Sequence, residues 1–455
     1  MAIDVTGSRK HVAVVGAGWA GLAAAVQAVG LGHRVALYEM SAHSGGRARS
    51  VTVPHTAELD NGQHIMIGAY SETLRLMRMV GQDPERAFDR RPLELVYPNG
   101  SGLRMPRGPA RWVFAWAVLR ARGWSWSDRW ALVTQALAWQ RAGMRNPGVD
   151  TVEQLCLALP PRVRADLIDP LCVAALNTPA SQASATVFLR VLNDALFATP
   201  GGSDLLLPRV GLSQLFPVPA LQWLVAKGIP QQLSHRVQTI ARADGHWQVD
   251  GTPFDAVILA CSAVEAARLA APFNSEWALQ AAALNYEPIG TVYLLRATTP
   301  LPRPMMALHS TPDQPAQFAF DLGLLGQHAG VVAFVVSGAR VWLERGADAM
   351  AAAVQRQAAV ALPRSFPAAP SAVLHTAMER RATFACTPHL LRPAMVVADG
   401  LLAAGDYVEG PYPATLEGSV RSAVRAVRAL EQSASQRSTS GSIPGVTSVM
   451  QNPLP

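Results

Sequence analysis

Residues Val12 to Gly32, VAVVGAGWAGLAAAVQAVGLG, run through twenty-one positions with Gln27 as the one clearly polar side chain. Hydropathy alone makes such a run long enough to span a bilayer. Its internal pattern divides it differently. Four β-type residues, Val12 to Val15, precede a glycine cluster, and an alanine-rich stretch at helical spacing follows, which predicts strand, turn and helix. The next apolar run, HRVALYEM, predicts a second strand, and SETLRLMRMV has the spacing of an amphipathic helix closed by Gly81 and Pro84. Residues 1–85 thus read as one βαβ-type module.

Beyond it the pattern turns helical and heavy in tryptophan and arginine. Trp112 and Trp116, then Trp126 and Trp130, stand four residues apart, the spacing of a helical hairpin. Near Pro200 the strand signal returns. GLSQLFPVPALQWLVAKG predicts a helix, and RVQTIARADGHWQVDGTPFDAVILAC predicts strand, turn, strand and a last buried strand. A second mixed segment covers Leu284 to Arg380, after which GLLAAGDYVEGPYPATLEGSVRSAVRAVRALEQ gives a buried strand, a polar glycine-rich turn and a closing helix. The polar residues 433–455 are expected to be a disordered tail. No internal repeat is visible.

Composition narrows the class. Half of the 455 residues are hydrophobic, enough for a large core and for two domains. The formal charge is +7, yet Lys10 and Lys227 are the only lysines and the arginines are scattered, which argues against nucleic acid and suits an anionic membrane face better. Cys156, Cys172, Cys261 and Cys386 stand far apart, so neither a metal site nor a disulfide framework is expected. The opening MAIDVTGSRK has no cleavable signal pattern.

Gly16, Gly18 and Gly21 form Gly-x-Gly-x-x-Gly between a strand and a helix, with Trp19 and Ala20 inside the motif. Glycines in that context allow a tight turn, close approach of a pyrophosphate and helix-on-strand packing, while the helix start offers amide hydrogens to phosphate. Glu39 follows eighteen residues after Gly21, where a carboxylate accepts hydrogen bonds from ribose hydroxyls and repels a 2′-phosphate. FAD or NAD is therefore favoured over NADP, and the bilayer reading of this run is set aside. Gly45, Gly46 and Arg47 follow the second strand, and Arg47 reads equally as an anion site or an exposed turn.

With these motifs the chain resembles the amine-oxidase and phytoene-desaturase group of flavoproteins. That resemblance implies FAD and an α/β fold: a discontinuous Rossmann-like FAD-binding domain with a second α+β substrate domain carrying a helical cap. The expected division is 1–85, 201–283 and 384–432 for FAD, and 86–200 with 284–383 for substrate. It implies Gly45, Gly46 and Arg47 at the dinucleotide diphosphate, Gly405 and Asp406 at the diphosphate and ribityl chain, Ala414 and Thr415 near the flavin ring, and Val237, in the expected strand RVQTI, at the adenine.

Within that group, LDNGQHIMIGAY (Leu59 to Tyr70), ALNTPASQASA, SDLLLPRVGLSQLF and AGDYVEGPYPATLEGSVRSA resemble the hydroxysqualene dehydroxylase family, the squalene-associated FAD-dependent desaturases of hopanoid-making bacteria. Tyr407 and Tyr412 depart from that family's pattern, which expects Trp after Gly-Asp and Leu before Pro-Ala-Thr. The resemblance implies replacement of an allylic hydroxyl by hydrogen from reduced flavin, with a flavin-reducing donor, a long isoprenoid alcohol as substrate and squalene-pathway enzymes as partners. It places Gly62, Gln63 and His64 against the flavin.

The chemistry needs a proton donor and an apolar, water-free pocket. His64 is the first candidate donor and Tyr412 the second, while Asn177 could orient the hydroxyl. Asp60 is expected to close its own turn. The Trp/Arg-rich helices read as either plain core or a bilayer interface, with a cytoplasmic, peripheral location on the inner membrane face. The competing readings are a carotenoid (phytoene-type) desaturase or amine-type FAD oxidase and, in another class, a non-catalytic flavin- or lipid-binding carrier.

Overall fold

The computed structural model describes residues 9–54, 58–107, 110–145, 148–198, 200–297, 299–367 and 371–439. Its organising sheet has six strands in the order Gln231–Gln232, Arg34–Tyr38, His11–Val15, Ala256–Leu259, Leu401–Ala403 and Val396–Ala398. All neighbours are parallel except the last pair. The continuous apolar run of His11–Val15 follows from being covered on both faces. Val12 and Val14 pack with helix Trp19–Gly30, and Ala13 and Val15 pack with Val249 and Phe254 of a three-stranded antiparallel sheet.

Helix Trp19–Gly30 is buried from Trp19 through Ala28, and its alanines let the closing helix Leu416–Thr439 lie close against it. This is the physical reason its hydropathy imitates a bilayer span. Among the described residues no helix is long and apolar enough to cross a membrane.

A second sheet of five antiparallel strands takes the order Met305–Ala307, Phe318–Asp321, Val331–Ser337, Tyr286–Leu295 and Val373–Phe384. Alternation along it is clean. Val292, Leu294, Phe334 and Val336 pack against helices Arg340–Arg345 and Ala347–Ala361, whereas Tyr293, Phe318, Phe320 and Val335 join the large central core. Helices Ala110–Leu119, Trp126–Arg141, Asp169–Leu176 and Ala185–Asn193 add to that core through Val113, Val118, Leu132, Trp139, Phe188 and Leu189.

Two expectations change. The segment RVQTI does not form a strand before Ile240, because the Asp250 carboxylate takes the Gln238 and Thr239 amides that a ladder would use. The strand at that edge of the parallel sheet is instead Gln231–Gln232. The closing helix continues to Thr439, so residues 433–439 of the expected tail are helical and the rest lies outside the described residues.

Glu417 ties the closing helix to helix Ser71–Met79. Its fully buried carboxylate accepts the Glu72 and Thr73 amides at 3.1 and 3.0 Å, the Thr73 hydroxyl at 2.7 Å and Arg421 Nε at 2.6 Å. It serves as the N-terminal cap that the second helix lacks in its own sequence. Glu417→Ala should lower stability by about 3 kcal/mol, because Arg421 and two amides lose a buried partner. Denaturant unfolding checks this: the midpoint should fall with the slope unchanged.

Candidate active site

The strand His11–Val15 ends in a turn that requires glycine. Gly16 lies at φ +110°, and a Cβ there would stand 2.7 Å from the Ala260 carbonyl oxygen. A Cβ on Gly21 would lie 1.7 Å from the Gly16 carbonyl oxygen. Gly18 is different. Its φ of −73° suits any residue, and a Cβ would meet nothing nearer than Gly46 Cα at 3.9 Å. Helix Trp19–Gly30 starts there with no side-chain cap among the described residues, leaving first-turn amides for a phosphate.

Neighbouring side chains brace this turn. Trp19 donates its indole N–H to the Ala48 carbonyl at 2.9 Å, and Ala20 is buried behind it. Glu39, at the end of strand Arg34–Tyr38, accepts the Ala17 amide at 2.7 Å and the Ser41 amide at 2.8 Å. Each oxygen keeps a lone pair for a ribose hydroxyl. Val237 is buried two residues beyond His235, whose amide donates to the Glu39 carbonyl.

Gly45 and Gly46 lie on the glycine turn, with the Gly45 amide donating to the Ala17 carbonyl at 2.8 Å. Arg47 is no exposed turn residue. It pairs with Asp406 at 2.5 Å and donates to the Arg381 and Ala382 carbonyls of the second sheet's last strand. Burial would lower its pKa, but the Asp406 carboxylate outweighs burial and holds the guanidinium above its ordinary value.

The segment Leu59–His64 runs beside this loop, with Leu59–Asp60 pairing antiparallel to Ser50–Val51. Asp60 does not close its own turn. Its carboxylate takes the Ser50 hydroxyl at 2.7 Å and the Leu212 amide at 2.9 Å, and its carbonyl takes the Tyr293 hydroxyl at 2.7 Å. Asn61 reaches Glu379 Oε2 at 3.1 Å. The loop is therefore bonded to the second sheet and to the segment that follows the glycine turn.

His64 is half-buried and donates Nδ1–H to the Gly62 carbonyl at 2.8 Å, which leaves Nε2 with its lone pair. Burial, chiefly, lowers its pKa and keeps the imidazole neutral near pH 7. Gly62, like Gly18, is not required by packing: a Cβ would meet Thr291 Oγ1 at 3.6 Å and His64 Cε1 at 4.0 Å.

At the far end of the chain, the backbone of Gly405 is clamped by Ser422, which accepts its amide at 2.8 Å and donates to its carbonyl at 3.0 Å. A Cβ there would stand 2.6 Å from the Tyr407 ring. Ala414 takes a left-handed φ of +56°, and Thr415 then caps the closing helix by accepting the Gly418 amide at 2.9 Å.

Two candidates are engaged by the protein itself. Tyr412 packs its ring under Arg421 at 4.8 Å and its hydroxyl bonds Asp194; burial, chiefly, raises its pKa, so it holds its proton firmly. Asn177 caps helix Asp169–Leu176 at φ +46°, donating to the Glu287 carbonyl and Thr383 hydroxyl and accepting the Gly338 amide. Both of its N–H donors and one lone pair of its oxygen are taken by the protein, which gives it a structural part.

Thr291, a residue without a sequence signal, joins the expected ones. Thr291, on strand Tyr286–Leu295, is 1 % exposed, and its hydroxyl has no hydrogen-bond partner among the described residues. Gln63 Nε2 and the hydroxyl of Tyr407 are likewise buried and unpartnered. Orphaned polar atoms and two glycines that the protein does not need fit bound ligands, and FAD fits the strand-end carboxylate at Glu39.

A Rossmann-like dinucleotide turn closed by a C-terminal Gly-Asp motif against an antiparallel sheet defines an FAD-dependent oxidoreductase. The chain matches the family described as flavin containing amine oxidoreductase over residues 19–430, and it belongs to that family. Among curated proteins it is similar to a hydroxysqualene dehydroxylase of Rhodopseudomonas palustris, 29% identical, covering 92% of this chain and 97% of that one. A protein of the same name from Zymomonas mobilis is 26% identical over 90% and 96%. A solved structure of a putative protoporphyrinogen oxidase from Exiguobacterium shares the fold at a TM-score of 0.69 and 16% identity, covering 94% of this chain and 99% of that one.

Glu39→Ala should weaken FAD retention about ten-fold or more, the scale of two lost hydrogen bonds to ribose, as read by absorbance after dialysis. Asn177→Ala should instead lower the melting temperature by several degrees while the bound flavin spectrum is kept.

Proposed function

We propose that this chain replaces the hydroxyl of a long allylic isoprenoid alcohol, hydroxysqualene, with hydrogen, releasing squalene and water. The balance is one proton and one hydride per alcohol: a C–O bond breaks, a C–H bond forms, and an external donor returns two electrons to the flavin. When bound, reduced FAD supplies the hydride. Relatives named for this activity cover nearly the whole chain, which supports the reading.

The observation that carries it is the polarity of the junction between the Leu59–His64 loop and the second sheet. Ile65, Ile67, Ile289, Tyr293, Phe318 and Phe320 belong to one apolar cluster, and Gln63 Nε2 and Thr291 Oγ1 are buried there without a hydrogen-bond partner among the described residues. That suits a hydrocarbon with a single hydroxyl. An amine substrate would want a carboxylate, but Asp60 is held by Ser50 and Leu212, and Glu379 by Asn61 and the Arg381 amide.

In this reading Thr291 and Gln63 hold the alcohol oxygen, while His64, protonated at Nε2, delivers the proton on which it leaves as water. A lowered pKa makes the imidazolium a ready donor and scarce at neutral pH. The apolar cluster keeps water from the allylic cation. Incubation of flavin-loaded protein with hydroxysqualene and a flavin reductant, read by mass spectrometry, tests the reaction: squalene is expected, and its absence would overturn the proposal. The protonated form of His64 accumulates only as pH falls below the ordinary histidine value of 6.5. Turnover should therefore rise through that range, and His64→Gln should stay yellow but lose both this limb and most of the rate.

A further inference from the structure

The helical hairpin of Ala110–Leu119 and Trp126–Arg141 is charged and exposed in a way the reaction does not use. Between residues 105 and 149 stand seven arginines, at 107, 111, 120, 122, 129, 141 and 145, against one acid, Asp128. Seven minus one is +6, nearly all of the formal +7 of the whole chain. Asp128 is itself engaged in a capping box with Ser125 at the start of the second helix.

Beside this charge lie large apolar side chains turned to solvent. Trp126 is 72% exposed, Trp130 66% and Trp116 48%; Trp130 follows Trp126 by one helical turn, and exposed Leu137 lies two turns further along the same face. Two other indoles of the hairpin, Trp124 and Trp139, are buried. Two of the exposed ones are held in place: Arg120 lies over the Trp116 ring at 4.5 Å and Arg129 over the Trp126 ring at 4.7 Å. Arg129 also donates to the Leu119 and Ala121 carbonyls at 2.9 Å, closing the end of the first helix.

We propose that this hairpin docks the protein on an anionic lipid surface, the indoles at headgroup depth and the arginines on lipid phosphates. Arginines alone would suit any polyanion. Exposed indoles beside them suit one whose charge floats on hydrocarbon. The helices are too short to span, so the contact is with one leaflet.

The test is co-sedimentation of the flavin-loaded full chain with vesicles of phosphatidylcholine alone or mixed with phosphatidylglycerol. Binding is expected to the mixed vesicles and to be reversed by salt. Arg120→Gln and Arg122→Gln should each weaken it about five-fold. Trp126→Ser with Trp130→Ser should weaken it about ten-fold or more. Arg356→Gln, an equal loss of charge on the exposed side of helix Ala347–Ala361, should leave it unchanged. Flavin absorbance and melting temperature establish that each variant is folded. Sedimentation with neither vesicle, equal sedimentation with both, or full binding by the double tryptophan variant would overturn the proposal. Retention of the parent and double tryptophan variant on heparin, without vesicle binding by either, would assign the surface to another polyanion and overturn it equally.

Discussion

The guanidinium of Arg47 is where three distant stretches of chain are held together. It reaches Asp406 from the glycine loop after the second strand, and it closes on two carbonyls of the second sheet. Asp406 is 7% exposed, and a carboxylate so placed is stable only with a charged partner. Arginine's planar fork serves a carboxylate and two carbonyls at once, where an ammonium would offer a point charge without that geometry. The dinucleotide site and the antiparallel sheet therefore share one electrostatic joint, and the Leu59–His64 loop is laid along it by Asp60, Asn61 and Tyr293.

The glycines of the site divide by cause. Gly16 and Gly21 are demanded by the protein's own packing, which would not close over a Cβ. Gly18 and Gly62 face room enough for one. Their smallness serves what binds over them, and the orphaned Gln63, Thr291 and Tyr407 atoms have the same explanation. Glu39, Asp60, Glu379 and Asp406 already hold partners within the protein, which means a ligand completes a scaffold that is largely formed beforehand.

Local pattern carried the dinucleotide half of the fold. The glycine spacing, the strand before it and the acid at Glu39 are near neighbours in sequence, so their joint meaning could be read directly. What failed depended on contacts from far away. RVQTI has strand composition, but Asp250 takes its amides. Asn177 looked free to meet a substrate until Glu287, Thr383 and Gly338 were brought to it by folding. Tyr412 stands beside the flavin motif in sequence but turns under Arg421. Thr291 could not be found at all, because a threonine in a β-branched strand carries no mark of the histidine loop that packs across it. The tryptophans of the hairpin were ambiguous between core and surface for a similar reason. Spacing gives the faces of a helix and leaves open which face the rest of the molecule covers.

The Arg47–Asp406 joint also has a direction in time. Its members are 359 residues apart in sequence, so during synthesis the arginine emerges long before its carboxylate exists. The same holds for helix Trp19–Gly30, whose cover is the last helix of the chain. The N-terminal module must wait with an apolar face open until the closing helix has been synthesised, and a cofactor site that includes Asp406 is complete only then. A protein built this way has reason to depend on chaperones early and on flavin supply late.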